Sequence, residues 1–225
     1  MRRPGFLWQA AGFAAATAGG TLLHFLYDWT GKNPLLSPFS GVNESTWEHM
    51  KLLFWPMLIF ALIQRCFFRS RRDFWPIQLL GIATGLLLIP LLFYTANGAF
   101  GTTPDWANIL IFYLAAAGAY LLEWQLFRSA SLPSRYPLLA LASICLIGLL
   151  FAIFTFAPPK LPMFQDPTTG TYGAKDPTAG AVGSFLIIRR NAWHSRICGT
   201  VLPLPDHYKS LGRSLAPWEH PGSPP

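Results

Sequence analysis

Charge is what this sequence has least of. Of its 225 residues only 12% are Asp, Glu, Lys or Arg, against 52% hydrophobic, roughly half the charged fraction of a soluble domain. Too little polar surface is available to wrap one water-soluble core, so lipid is the expected solvent. Cysteine is scarce as well. Cys66, Cys145 and Cys198 stand far apart without a CxxC pair, which implies neither a disulfide framework nor a zinc ribbon; Cys66 and Cys145 read as small buried apolar side chains. There is no phosphate loop, zincin string, nucleophile elbow or redox CxxC, so no familiar reaction is announced. The alternation of a β-barrel wall is missing, as is an inverted pair of segments of the transporter kind.

What is present is five long apolar runs: Phe6–Tyr27, Leu52–Phe68, Ile77–Ala96, Trp106–Phe127 and Tyr136–Phe156. About 20 helical residues cross the roughly 30 Å of bilayer hydrocarbon. The runs therefore predict an all-α integral membrane bundle of five transmembrane helices. The first is interrupted only by Gln9, Thr17, Thr21 and His24. A cleaved signal peptide is its rival reading, because Arg2, Arg3 and the small residues from Ala14 to Gly20 resemble one, although its apolar core would be shorter. Before the second run, Ser45-Thr46-Trp47-Glu48 fits a capping box, with Ser45 accepting the Glu48 N–H and the Glu48 carboxylate reaching back. Pro56 is placed to kink that helix. Ala115 to Ala119 form a smooth strip on the fourth run suited to close helix packing, including self-association or contact with another membrane protein. The fifth run stops at Pro158-Pro159.

Topology follows from the arginines. Arg2 and Arg3, the cluster Arg65, Arg69, Arg71 and Arg72, and the pair Arg128 and Arg135 share one side if all five runs cross. The positive-inside bias then puts the N-terminus in the cytoplasm of a cell inner membrane. The net charge of +7 is explained by these flanks and by anionic lipid headgroups, with no need of nucleic acid. The expected domains are a transmembrane unit over 1–173 with an outward polar rim, and an atypical, poorly ordered tail over 174–225 rich in Gly, Ser and Pro.

Polar residues near lipid call for an explanation. His24 and Asp28 are one helical turn apart near the outer end of the first run, and Glu44 and Glu48 have the same spacing before the second. Asn43, Ser45, His49 and Lys51 lie around them, all at one predicted level. Two carboxylates a turn apart repel unless a cation or base relieves them. A divalent metal on some of His24, Asp28, Glu44, Glu48 and His49 would do so; a helix starting at Ser45 would instead leave Glu44 outside it, with Glu48 engaged by the cap and by Lys51. Asp166 lies in the proline-stiffened segment from Pro158 to Gly173, either a juxtamembrane linker or a lid folding back over the rim. Glu123, near the other end of the fourth run, is expected to pair with Arg65 or Arg128 or to snorkel.

At the string Val42-Asn43-Glu44-Ser45-Thr46-Trp47-Glu48-His49-Met50-Lys51, and again from Pro158-Pro159 to Tyr172-Gly173, the chain resembles an uncharacterised family of bacterial multi-pass membrane proteins (DUF6512-like). His24 and Asp28 look like part of that pattern. The resemblance spans about residues 6 to 173; it implies a helical membrane fold and brings no established reaction. Beyond Gly173 the chain departs from it, as an unusual extension or a gene-model artefact would. Three functions stay open: binding or transport of a small polar ligand or ion at the rim, metal-dependent membrane hydrolysis, and a structural or assembly role.

Overall fold

The computed structural model describes residues 5–101, 104–129 and 136–174, all within one compact unit, Met1–Asp176. Five long helices account for most of them: α1 (Phe6–Trp29), α2 (Thr46–Phe67), α3 (Phe74–Phe100), α4 (Asp105–Arg128) and α5 (Pro137–Phe156). There is no strand among the described residues, only an isolated bridge between Gln165 and Tyr172. Each expected apolar run lies within one of these helices, save for Phe68 and Tyr136, which cap α2 and α5. The tail expected to be disordered, and Arg2, Arg3, Arg135 and Cys198, lie outside the described residues.

Four helices, α2 to α5, are long and apolar enough to cross a membrane. The fifth expected span, α1, has the length, 24 residues, but falls short in apolarity because Gln9, its glycines, Thr17 and Thr21 dilute the run. Large apolar side chains are exposed around the helices, among them Leu87 on α3, Leu110 on α4 and Leu138, Leu146 and Leu149 on α5. A soluble monomer rarely displays so continuous an apolar surface, whereas hydrocarbon accepts it at no cost. Cys66 and Cys145 are exposed on this surface rather than buried, because both sit on helix faces turned away from the core.

Contacts at the glycines fix the register. A Cβ on Gly20 would meet Phe112 and the carbonyl of Leu52, one on Gly12 would meet Tyr120 and Phe60, and one on Gly85 would meet Leu53 and Ala119. Rising numbers on one helix match falling numbers on its neighbour, so α1 to α4 form an antiparallel ring in chain order, closed by contact between α1 and α4. Helix α5 packs outside the ring against α3 and α2. The small-residue strip of α4 serves this ring: Ala115, Ala116 and Ala119 are fully buried. One end of the ring carries the loop 30–45, the end of α3 and the start of α4, hereafter the rim end. The other carries Arg65, Arg69, Arg71, Arg72 and Arg128.

Two of those arginines also hold the chain together. Arg71 is buried, pairs with Asp73, donates to the Phe127 carbonyl and lies over the Phe127 ring. Arg65 donates to the carbonyls of Phe68 and Arg71. At Gly85 two neighbouring helices close in together, since its added Cβ would lie 2.9 Å from Leu53 and 3.2 Å from Ala119. Gly85→Val is therefore expected to cost about 1–3 kcal/mol of stability. Gly98→Ala, where nothing lies within 4 Å of the new atom, should cost nothing; denaturant unfolding in detergent measures both.

Candidate metal centre at the rim

Helix α2 begins where the sequence indicates. Ser45 is its N-cap and its hydroxyl accepts the Glu48 N–H at 3.4 Å. The reciprocal half of the expected capping box differs. The Ser45 N–H goes to Asn43 Oδ1 at 2.9 Å, and Glu48 reaches past Ser45 to accept the Val42 N–H at 3.0 Å. Glu44 thus lies outside the helix, and the repelling Glu44–Glu48 pair never forms.

Instead Glu44 sits between two histidines. Its carboxylate oxygens are 3.6 Å from His24 Nε2 and 3.7 Å from His49 Nε2, beyond hydrogen-bond range. One ligand atom from each of the three residues lies within 4.8 Å of the others. Three elements supply them: α1 brings His24, the loop brings Glu44 and α2 brings His49. The Gly41 N–H, donating to the Leu23 carbonyl at 3.2 Å, ties the loop to α1 beside His24. His49 Nδ1 is 2.9 Å from the Ser45 carbonyl. A carbonyl only accepts, so Nδ1 carries a proton and Nε2 is the nitrogen turned toward Glu44, the orientation a metal ligand needs.

The three residues line a cavity of about 790 Å³. Asn97 on α3, Asn108 on α4, and Pro167 and Thr168 from beyond α5 help to enclose it. Sequence reasoning missed Asn97 and Asn108; their signal was an amide at each edge of the short loop between two apolar runs.

The segment after α5 does fold back over the rim. Trp47 stacks among Phe151, Phe154 and Phe164 with centroids 4.6, 5.5 and 4.6 Å away, and Asn43 donates to the Gly173 carbonyl at 3.0 Å. Gly173 has φ +65°, and its added Cβ would press on Pro158 and the Thr155 carbonyl, so a side chain there is disfavoured. Asp166 organises the turn, accepting from the N–H and hydroxyl groups of both Thr168 and Thr169. Burial would raise its carboxyl, but these hydrogen bonds outweigh it and hold the group below its ordinary value. The turn is therefore firm at neutral pH and loosens only as acid approaches that lowered value.

The remaining sequence candidates do other work. Asp28 is exposed and is not in the converging set, where Glu44 from the loop stands beside His24 instead. Glu48 and Lys51 point inward, 2% and 0% exposed, and pair at 2.6 Å. Lys51 Nζ also donates to the Ser37 carbonyl at 2.8 Å and to Thr155 Oγ1 at 2.9 Å. Lys51→Met would strand a buried carboxylate and is expected to cost about 3–5 kcal/mol. Glu48→Gln added to it should recover most of that loss. Thermal unfolding of the purified single and double variants checks both.

No curated protein and no solved structure matches the chain. Residues 6–174 match the profile of a family of unknown function, DUF6512, and the match stops where the sequence changes character. The NES-x-WEH-x-K string that builds the rim lies inside it, and the chain belongs to that family.

Proposed function

We propose that this membrane protein binds a divalent transition-metal ion through His24, Glu44 and His49, and offers the ion's open coordination positions to a small polar ligand in the rim cavity. The observation that carries the reading is the convergence of two imidazoles on one carboxylate beside a cavity. Ligands held about 2.0–2.2 Å from a tetrahedral ion stand roughly 3.3 Å apart, so the three ligand atoms, now within 4.8 Å of one another, would draw together around the ion. Two histidines and a carboxylate leave at least one position free. That open side favours a second reading, metal-dependent hydrolysis, in which a metal-bound water is the nucleophile.

Binding fits better than transport. Between the cavity and the opposite end of the ring lie Ala16, Leu53, Met57, Ala115 and Ala116, at most 1% exposed, an apolar layer without a polar path. In the proposed topology α1 also crosses, the arginine end faces the cytoplasm, and the rim faces outward from the cytoplasmic membrane.

Titration calorimetry with zinc on the purified full chain is expected to give one ion per molecule. Glu44→Ala and His49→Ala should each weaken it by more than about 100-fold, whereas Asp28→Asn should bind as the wild type does. No binding by the wild type, or wild-type affinity in both ligand variants, would sink the metal reading. Hydrolysis is tested separately, as turnover of ester or amide substrates by the zinc-loaded protein.

A further inference from the structure

A second polar layer crosses the ring near its arginine end. The chain makes it by placing one polar residue a turn beyond each packing contact: Gln9 below Gly12 on α1, Gln64 below Phe60 on α2, Gln78 below Gly81 on α3, and Glu123 below Tyr120 on α4. All five polar side chains, Tyr120 included, are at most 4% exposed. Only one internal bond is seen, from Gln78 Nε2 to Gln64 Oε1 at 2.7 Å. Both carboxylate oxygens of Glu123, the Tyr120 hydroxyl, both amide atoms of Gln9 and Gln64 Nε2 lack a hydrogen-bond partner. The expected ion pair is not made: Arg65 is spent on loop carbonyls and Arg128 lies over Trp124. Glu123 instead presses against Gly81, where any side chain would displace it.

Buried polar atoms without partners cost free energy in lipid above all; four of these six are oxygens at one level, from Glu123 and Tyr120 on α4 and Gln9 on α1, and they point to something they hold together. We infer that this layer binds a monovalent cation through Glu123, the carbonyl oxygen of Gln9 and the hydroxyl of Tyr120. These are hard oxygen donors with no imidazole or thiolate, which selects an alkali cation over a transition metal. A single carboxylate neutralises one positive charge, whereas a buried divalent ion would demand more. Gln64 and Gln78 brace the layer, and the apolar residues above separate it from the rim. The inference is independent of the metal proposed there.

The test is thermal unfolding of the full chain in nanodiscs with EDTA, comparing sodium, lithium, potassium and N-methylglucamine chlorides at constant ionic strength. At least one alkali cation should raise the midpoint saturably, by about 5 °C or more at a hundredfold excess over its dissociation constant. Glu123→Gln should abolish the response, and Tyr120→Phe should raise the half-saturating concentration about tenfold, while His49→Ala leaves it unchanged. Identical midpoints in all four salts would overturn the proposal, as would a midpoint that follows pH but no cation. Should Glu123→Gln not fold, Tyr120→Phe decides alone, and an unaltered cation response there rejects the site.

Discussion

Lys51 and Glu48 meet at 2.6 Å with almost no access to solvent. Charges in such a place are tolerated only when nearby groups satisfy their remaining hydrogen-bonding capacity. The Val42 N–H and the Ser37 carbonyl do this from the loop after α1, and Thr155 does it from the end of α5. One buried pair on α2 thereby fixes the path of the loop and the docking of α5. Glu44 stands two residues from Val42, so its position over His24 and His49 is inherited from that anchor.

The same logic divides the bundle into levels. Polar side chains gather at the rim and again around Glu123, with small and apolar residues between them. Alanine and glycine there let the helices approach closely, which the contacts of Gly12, Gly20 and Gly85 display. Each polar level is then closed off from the other. Bilayer hydrocarbon offers no water to stray polar groups, so polar groups concentrated at two levels mark where function is to be sought.

The helices were legible because hydrocarbon imposes a length and a polarity that show directly in Leu52–Phe68 or Tyr136–Phe156. The start of α2 was legible through Ser45. The rim was legible as a set of residues but not as a set of partners. His24 suggested Asp28, its neighbour one turn on, because sequence spacing sees only local geometry. The true partner, Glu44, arrives by a loop held through the contacts of Gly41 with Leu23 and of Asn43 with Gly173, and no local pattern records such closures. Likewise Glu48 and Lys51 were visible as a pair one turn apart, but their inward direction depends on Thr155, over 100 residues away. Glu123 stood out as a carboxylate within an apolar run, while the choice of Arg65 for loop carbonyls could be seen only in the fold.

In the proposed site the anchored loop holds Glu44 where it and both histidines would share one ion. A zinc-edge anomalous difference map of the full chain measures that directly. One peak about 2.0–2.2 Å from His24 Nε2, His49 Nε2 and a Glu44 oxygen, beside the cavity, is the predicted result. A zinc ion bound elsewhere, with the three side chains turned apart, would contradict it.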